Sequence, residues 1–138
     1  MTDYEQYRAS YFADPEPQPR FQYAGLHGVA LYFHDYDQAV TWYTRVFGPP
    51  AYAEDEDTRG WKLGDIWLTL FPSVAGNPVN NEVHLLLKTP EEAERVHAAF
   101  IEAGGRGEDP SDQLMYEPLR FCPAEDPFGT RWLILARL

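Results

Sequence analysis

The sequence predicts an α+β fold assembled from two copies of one strand–helix unit, on three observations. The first is alternation: Val83, Leu85 and Leu87 interleave with Glu82, His84, Leu86 and Lys88, the period of a half-buried strand. The second is a well-punctuated helix straight after it. Thr89 is a candidate cap, Pro90 suits the first turn, and Glu92 stands where it reaches back to the cap. Ala93, Val96, His97, Phe100 and Ile101 form one apolar stripe, and Gly104-Gly105 stops the helix. The third is recurrence. Asp35 and Gln38, with the stripe Ala39, Trp42, Tyr43, Val46 and Phe47, match Thr89, Glu92 and the second stripe at one constant offset of 54 residues. A fixed offset without gaps marks one structural unit used twice.

Residues 1–22 read as an arm. Tyr4, Tyr7, Tyr11 and Phe12 suit a short helix with an aromatic stripe, and the prolines at 15, 17 and 19 impose an extended run. A single domain is expected over 23–138, with modules at about 25–72 and 81–138. In the first module Val29, Leu31 and Phe33 alternate with Gly28, Ala30, Tyr32 and His34, then comes the helix that Gly48-Pro49-Pro50 ends. A short strand at 51–54 and a polar turn at 55–58 precede a hairpin across Gly64-Asp65, a pair suited to tight turns. Residues 72–80, rich in Pro, Gly and Asn, separate the modules. In the second module, 107–118 reads as a long polar loop carrying Leu114, Met115 and Tyr116 at its tip. Strands follow at 120–123 and 131–138, joined by the turn Asp126-Pro127-Phe128-Gly129.

A net charge of −11 and a pI near 4.6 argue against nucleic acid and against anionic membrane surfaces, both of which require a basic face. No apolar run reaches the length of a membrane span, and no leader is visible, so a cytoplasmic location is the expectation. The lone Cys122 rules out an intrachain disulfide and reads as a small buried hydrophobe.

The segments GVALYFHDYDQAVTWYTRVFG, HLLLKTPEEAERVHAAFIEAGG and DPFGTRWLI, taken together, resemble the vicinal oxygen chelate superfamily of glyoxalases, bleomycin-resistance proteins and extradiol dioxygenases. The resemblance spans about residues 25–138. It implies two βαβββ modules in tandem whose mixed sheet curves into a half-open barrel, with helices outside and a ligand cleft inside. Alternation then assigns Val29, Leu31, Phe33, Ile66, Leu68, Leu70, Val83, Leu85, Leu87, Trp132 and Ile134 to the helix side. Gly28, Ala30, Tyr32, Trp67, Thr69, Phe71, Glu82, His84, Leu86, Arg131, Leu133 and Leu135 are assigned to the cleft.

Metal-using members of that superfamily place four ligands on these strands. The positions that match hold Gly28, Thr69, Glu82 and Leu133, of which only Glu82 is a good donor. No cofactor is therefore expected and a divalent metal is disfavoured. One alternative is a bulge that turns His27 inward to form a set with Glu82 and His84. The candidate ligand-binding residues are Tyr32, Trp61, Trp67, Thr69, Phe71, Glu82, His84, Met115, Tyr116, Arg131 and Leu133, an aromatic cleft with a few polar groups. Glu82 and His84 are also candidates for an acid–base pair. The expectation is a small-molecule-binding protein acting as a homodimer. The alternative is a lyase, isomerase or dioxygenase with an atypical metal set or a metal-free Glu82/His84 pair.

Overall fold

A computed structural model describes residues 2–138. The elements run α1 Asp3–Tyr11, β1 Tyr23–Phe33, α2 Tyr36–Phe47, β2 Tyr52–Glu54, β3 Thr58–Leu63, β4 Ile66–Pro72, β5 Val79–Leu87, α3 Pro90–Glu102, β6 Arg106–Gly107, β7 Ser111–Met115, β8 Glu117–Glu125 and β9 Arg131–Arg137. All nine strands belong to one mixed sheet in the order β2-β3-β4-β1-β5-β9-β8-β6, with β7 paired to β8. The sheet curves without closing into a barrel. Each module sets its first and last strands side by side and parallel, β1 with β4 and β5 with β9. The modules meet where β1 pairs antiparallel with β5.

Two cores hold the helices to the sheet. Between α2 and the sheet, Tyr36 packs with Phe33, Trp61, Leu68 and Leu70; between α3 and the sheet, Ala93 and Val96 pack with Leu87, Cys122, Ala124, Ile134 and Ala136. Burial drives the Cys122 thiol up to about 11, in keeping with an inert packing role. A third cluster, Leu86, Leu119, Leu133 and Leu135 with Phe121 against it, fills the opposite face of the second module.

The helix punctuation differs from the expectation in two places. Thr89 accepts from the Glu92 N–H at 3.1 Å, but the Glu92 carboxylate turns away from the cap and accepts from the Gln22 N–H at 2.9 Å. Asp35 makes no side-chain cap and binds Asn77 instead. On α2 the residues packed against the sheet are Tyr36, Ala39, Val40 and Tyr43, while Trp42, Val46 and Phe47 are exposed. That helix is apolar around so much of its circumference that the stripe alone did not say which edge the sheet would take.

Two further corrections concern the site. Trp61, expected in the cleft, is buried beneath α2, because the two-residue turn pairs it directly with Leu68 and partners in an antiparallel ladder share a face. Its indole N–H donates to the Gly48 carbonyl at 2.8 Å. Residues 107–118 are not an open loop: β7 folds back on β8 as a hairpin, with Tyr116 at its tip. The short helix expected in the arm is present, with a Thr2–Glu5 capping box, and none of its residues is buried. If Trp61 is core, Trp61→Ala should cost about 3–5 kcal/mol in urea unfolding, well beyond the effect of the same change at half-buried Trp67.

Candidate functional site

The seam between the modules positions the polar residues. Ladder partners Gly28 and His84, and Ala30 and Glu82, lie opposite one another across β1 and β5. A register shift falls between Leu26 and Gly28, leaving His27 as an extra residue on β1. Such a bulge reorients one side chain, and His27 faces the same cavity as His84. The inward turn weighed from the sequence is therefore present, but it does not join His27 to Glu82.

Each imidazole has its own carboxylate. His27 Nε2 donates to Glu117 Oε2 at 3.0 Å, and Arg137 Nε donates to the other Glu117 oxygen at 2.8 Å. His84 Nε2 donates to Glu82 Oε1 at 2.9 Å, with Arg131 Nη2 3.8 Å from Glu82 Oε2. A carboxylate only accepts, so Nε2 of each ring bears a proton. Burial lowers the His27 pKa from its ordinary 6.5 against the pull of Glu117, so His27 is neutral at pH 7. Burial pulls Glu117 up, but the His27 N–H and the Arg137 guanidinium outweigh it and its pKa is lowered.

Around these pairs the cleft is filled. The space between His27, His84, Met115, Tyr116, Phe121 and Leu133 amounts to about 10 Å³, room for roughly one water. Tyr116 reaches from the β7–β8 hairpin across to the first module. Its ring stacks on Trp67 at 3.8 Å and 10°, meets Tyr52 edge-on at 4.6 Å, and its hydroxyl lies 2.5 Å from that of Thr69. Burial pushes the Tyr116 phenol up to about 12, so it is protonated at neutral pH. At the other end of β1, Tyr32 stacks on Phe71 at 5.1 Å and Arg131 lies 5.9 Å from the Tyr32 ring centre. Burial, then the Glu82 charge, raises the Tyr32 phenol to about 12.

The candidate residues thus separate into groups. Glu82, His84, Tyr32, Phe71 and Arg131 form a polar and aromatic wall; Trp67, Thr69, Met115 and Tyr116 form a closed plug; Leu133 belongs to the aliphatic cluster. Among the described residues no three His, Cys, Asp or Glu side chains converge as an ion would require, the trio His27, Glu82 and His84 included. Glu117, Arg137, Tyr52 and Gly60 escaped the sequence reading. Glu117 lies 90 residues from His27, and no local pattern announces that pairing.

The pH response follows from the two directions. A histidine whose folded pKa is lowered binds its proton more readily when unfolded, so its contribution is complete above about 6.5 and is lost as pH falls toward the folded value. Glu117, lowered from 4.5, adds its loss only below that value. Melting temperature should therefore fall between pH 7 and 5.5, and His27→Gln should flatten that limb while leaving the more acidic one. An unchanged slope in the variant would show that His27 does not titrate this way.

The glyoxalase/bleomycin resistance protein/dioxygenase superfamily model matches residues 25–134. No curated protein sequence matches the chain. Among solved structures, the Mn(II)-bound glyoxalase from Novosphingobium aromaticivorans shares 16% identity at a TM-score of 0.70, over 83% of this chain and 39% of that one. A variant of homoprotocatechuate 2,3-dioxygenase from B. fuscum shares 20% at 0.64, over 88% and 35%. A superfamily member from Vibrio splendidus 12B01 shares 11% at 0.59, over 79% and 96%. The chain therefore spans well under half of the glyoxalase and the dioxygenase, and at these identities the likeness is one of fold. With its family match, repeat and seam, this chain belongs to the glyoxalase/bleomycin resistance protein/dioxygenase superfamily.

Proposed function

We propose that this chain is a small-molecule-binding protein that works without a metal at the position its superfamily uses for one, holding its ligand against the aromatic wall with Glu82 and His84 as polar anchors. The observation that carries this reading is the state of the four strand positions. Gly28 has no side chain, and a Cβ there would run into the Trp67 carbonyl. The Thr69 hydroxyl is engaged by Tyr116, Leu133 packs among Leu86, Leu119 and Leu135, and Glu82 is held by His84. A catalytic divalent ion needs about three imidazole or carboxylate ligands. These residues do not fit one.

A second reading has its own support, in the two imidazoles that share one cavity, each backed by a carboxylate. Arranged so, His84 with Glu82 acts as a metal-free acid–base pair: Nδ1 takes a proton from a bound molecule, and the carboxylate steadies the imidazolium that results. Tryptophan-fluorescence titration with a panel of aromatic and cationic antibiotics separates the readings. Saturable quenching without turnover supports binding, and turnover abolished by His84→Ala supports catalysis. Near-stoichiometric Fe, Mn, Ni or Zn in protein purified without chelator, lost on His84→Ala, would overturn the metal-free account of both.

Assembly as a homodimer is also proposed. Tyr4, Tyr7, Tyr11 and Phe12 are exposed on α1, and a second copy would cover them. Light scattering at micromolar concentration should give twice the chain mass of 15.9 kDa, and deleting residues 2–12 should return the monomer.

A further inference from the structure

Tyr116 is held less like a lid over the cleft than like a molecule bound within it. It enters from the second module, yet all its close ring partners belong to the first. Trp67 offers a flat face at 3.8 Å, Tyr52 an edge at 4.6 Å and Thr69 a hydroxyl at 2.5 Å. Gly60 leaves the room: a Cβ there would strike the Tyr116 hydroxyl. Thr69 is 0% exposed, in an interior position where valine would pack as well, and its hydroxyl finds its partner in whatever ring fills the slot. The strand that presents Tyr116 is free to yield, since β7 pairs only with β8 and Ser111–Leu114 are exposed. Tyr116 itself sits at φ +66°, a left-handed conformation uncommon for an aromatic residue, so the chain gives up local ease to fill the slot.

We infer that the slot formed by Trp67, Tyr52, Gly60 and Thr69 is a subsite for a planar ring bearing a hydroxyl group, and that Tyr116 is the internal occupant such a ligand displaces. The inference rests on the small-molecule reading above and adds to it a ligand class and a competitor. The exchanged ring takes over the Trp67 stack and the Thr69 hydrogen bond. It then stands beside His27, whose ring centre is 6.1 Å from that of Tyr116. The stack selects flatness, and Thr69 selects a group that donates or accepts at the ring's edge.

The test uses the full chain and p-cresol, the side chain of tyrosine as a free molecule. Toluene lacks its hydroxyl and 4-methylcyclohexanol lacks its flat face. Tyr116→Gly empties the slot, and glycine accepts the same φ. Tryptophan quenching and melting-temperature shifts should show this variant binding p-cresol at least about tenfold more tightly than either control. Adding Thr69→Val should erase the advantage over toluene. Wild type should bind p-cresol more weakly than the variant, with faster amide exchange across Ser111–Met115 as the hairpin yields. Equal binding of all three probes would reduce the slot to a nonspecific hole. No wild-type binding and no change in exchange would make Tyr116 a fixed wedge. Should Tyr116→Gly fail to fold, Tyr116→Phe weakens the competitor by one hydrogen bond and should tighten p-cresol binding over wild type; unchanged affinity would overturn the inference. Saturable quenching of wild type by the antibiotic panel alongside failure here leaves the cleft reading standing and removes only this subsite.

Discussion

Where β1 meets β5, Gly28 faces His84 and Ala30 faces Glu82, and much of the structure depends on that seam. Each module alone would expose a strand edge lined with unpaired N–H and C=O groups. Pairing β1 with β5 satisfies both edges, joins the four strands of the first module and the five of the second into one curved sheet, and brings the heads of two equivalent strands side by side. The close approach is steric as well as hydrogen-bonded, because the Gly28 backbone lies so near the Trp67 carbonyl that only a residue without a side chain fits. The seam therefore costs the first module its leading side chain, and the bulge just before it supplies another, His27.

The buried polar groups at the seam follow from the same constraint. Glu82 and His84 are nearly solvent-free, as is His27, and isolated groups of this kind would be costly. Each is matched: histidine donates to carboxylate, and an arginine nearer solvent faces the carboxylate's outer oxygen. The relay Arg137–Glu117–His27 runs from β9 and β8 of the second module to β1 of the first, whereas Arg131–Glu82–His84 lies within the second module on β9 and β5. That arrangement places two imidazoles on one cavity in a region otherwise packed with leucine and aromatic rings.

Much of this was legible in the residues. The constant offset identified the two modules, and period-two alternation assigned β1, β4, β5 and β9 to their correct faces, because one face of each had to be apolar to sit beneath a helix. Trp61 was placed wrongly although the means to place it were present: a two-residue turn at Gly64-Asp65 pairs Trp61 with Leu68, already on the helix side. Cross-strand register carries information that single-strand alternation does not. The 107–118 segment was harder. Ser111, Asp112 and Gln113 carry no strand pattern, and β7 exists because the exposed flank of β8 offers a ladder, not because its own residues ask for one.

What the sequence by itself determined is the repeat, the helix–strand alternation and the poverty of ligating side chains at Gly28, Thr69 and Leu133, since these are matters of residue type and spacing. Tertiary structure decided which groups meet. The His27–Glu117 and Thr69–Tyr116 hydrogen bonds join residues 90 and 47 positions apart, and both depend on how one module's hairpin lands on the other. A hairpin's landing place is set by the curvature of the whole sheet, a sum of small twists in every strand. No stretch of sequence contains that sum, so the contents of the cleft could be named in advance but not their contacts.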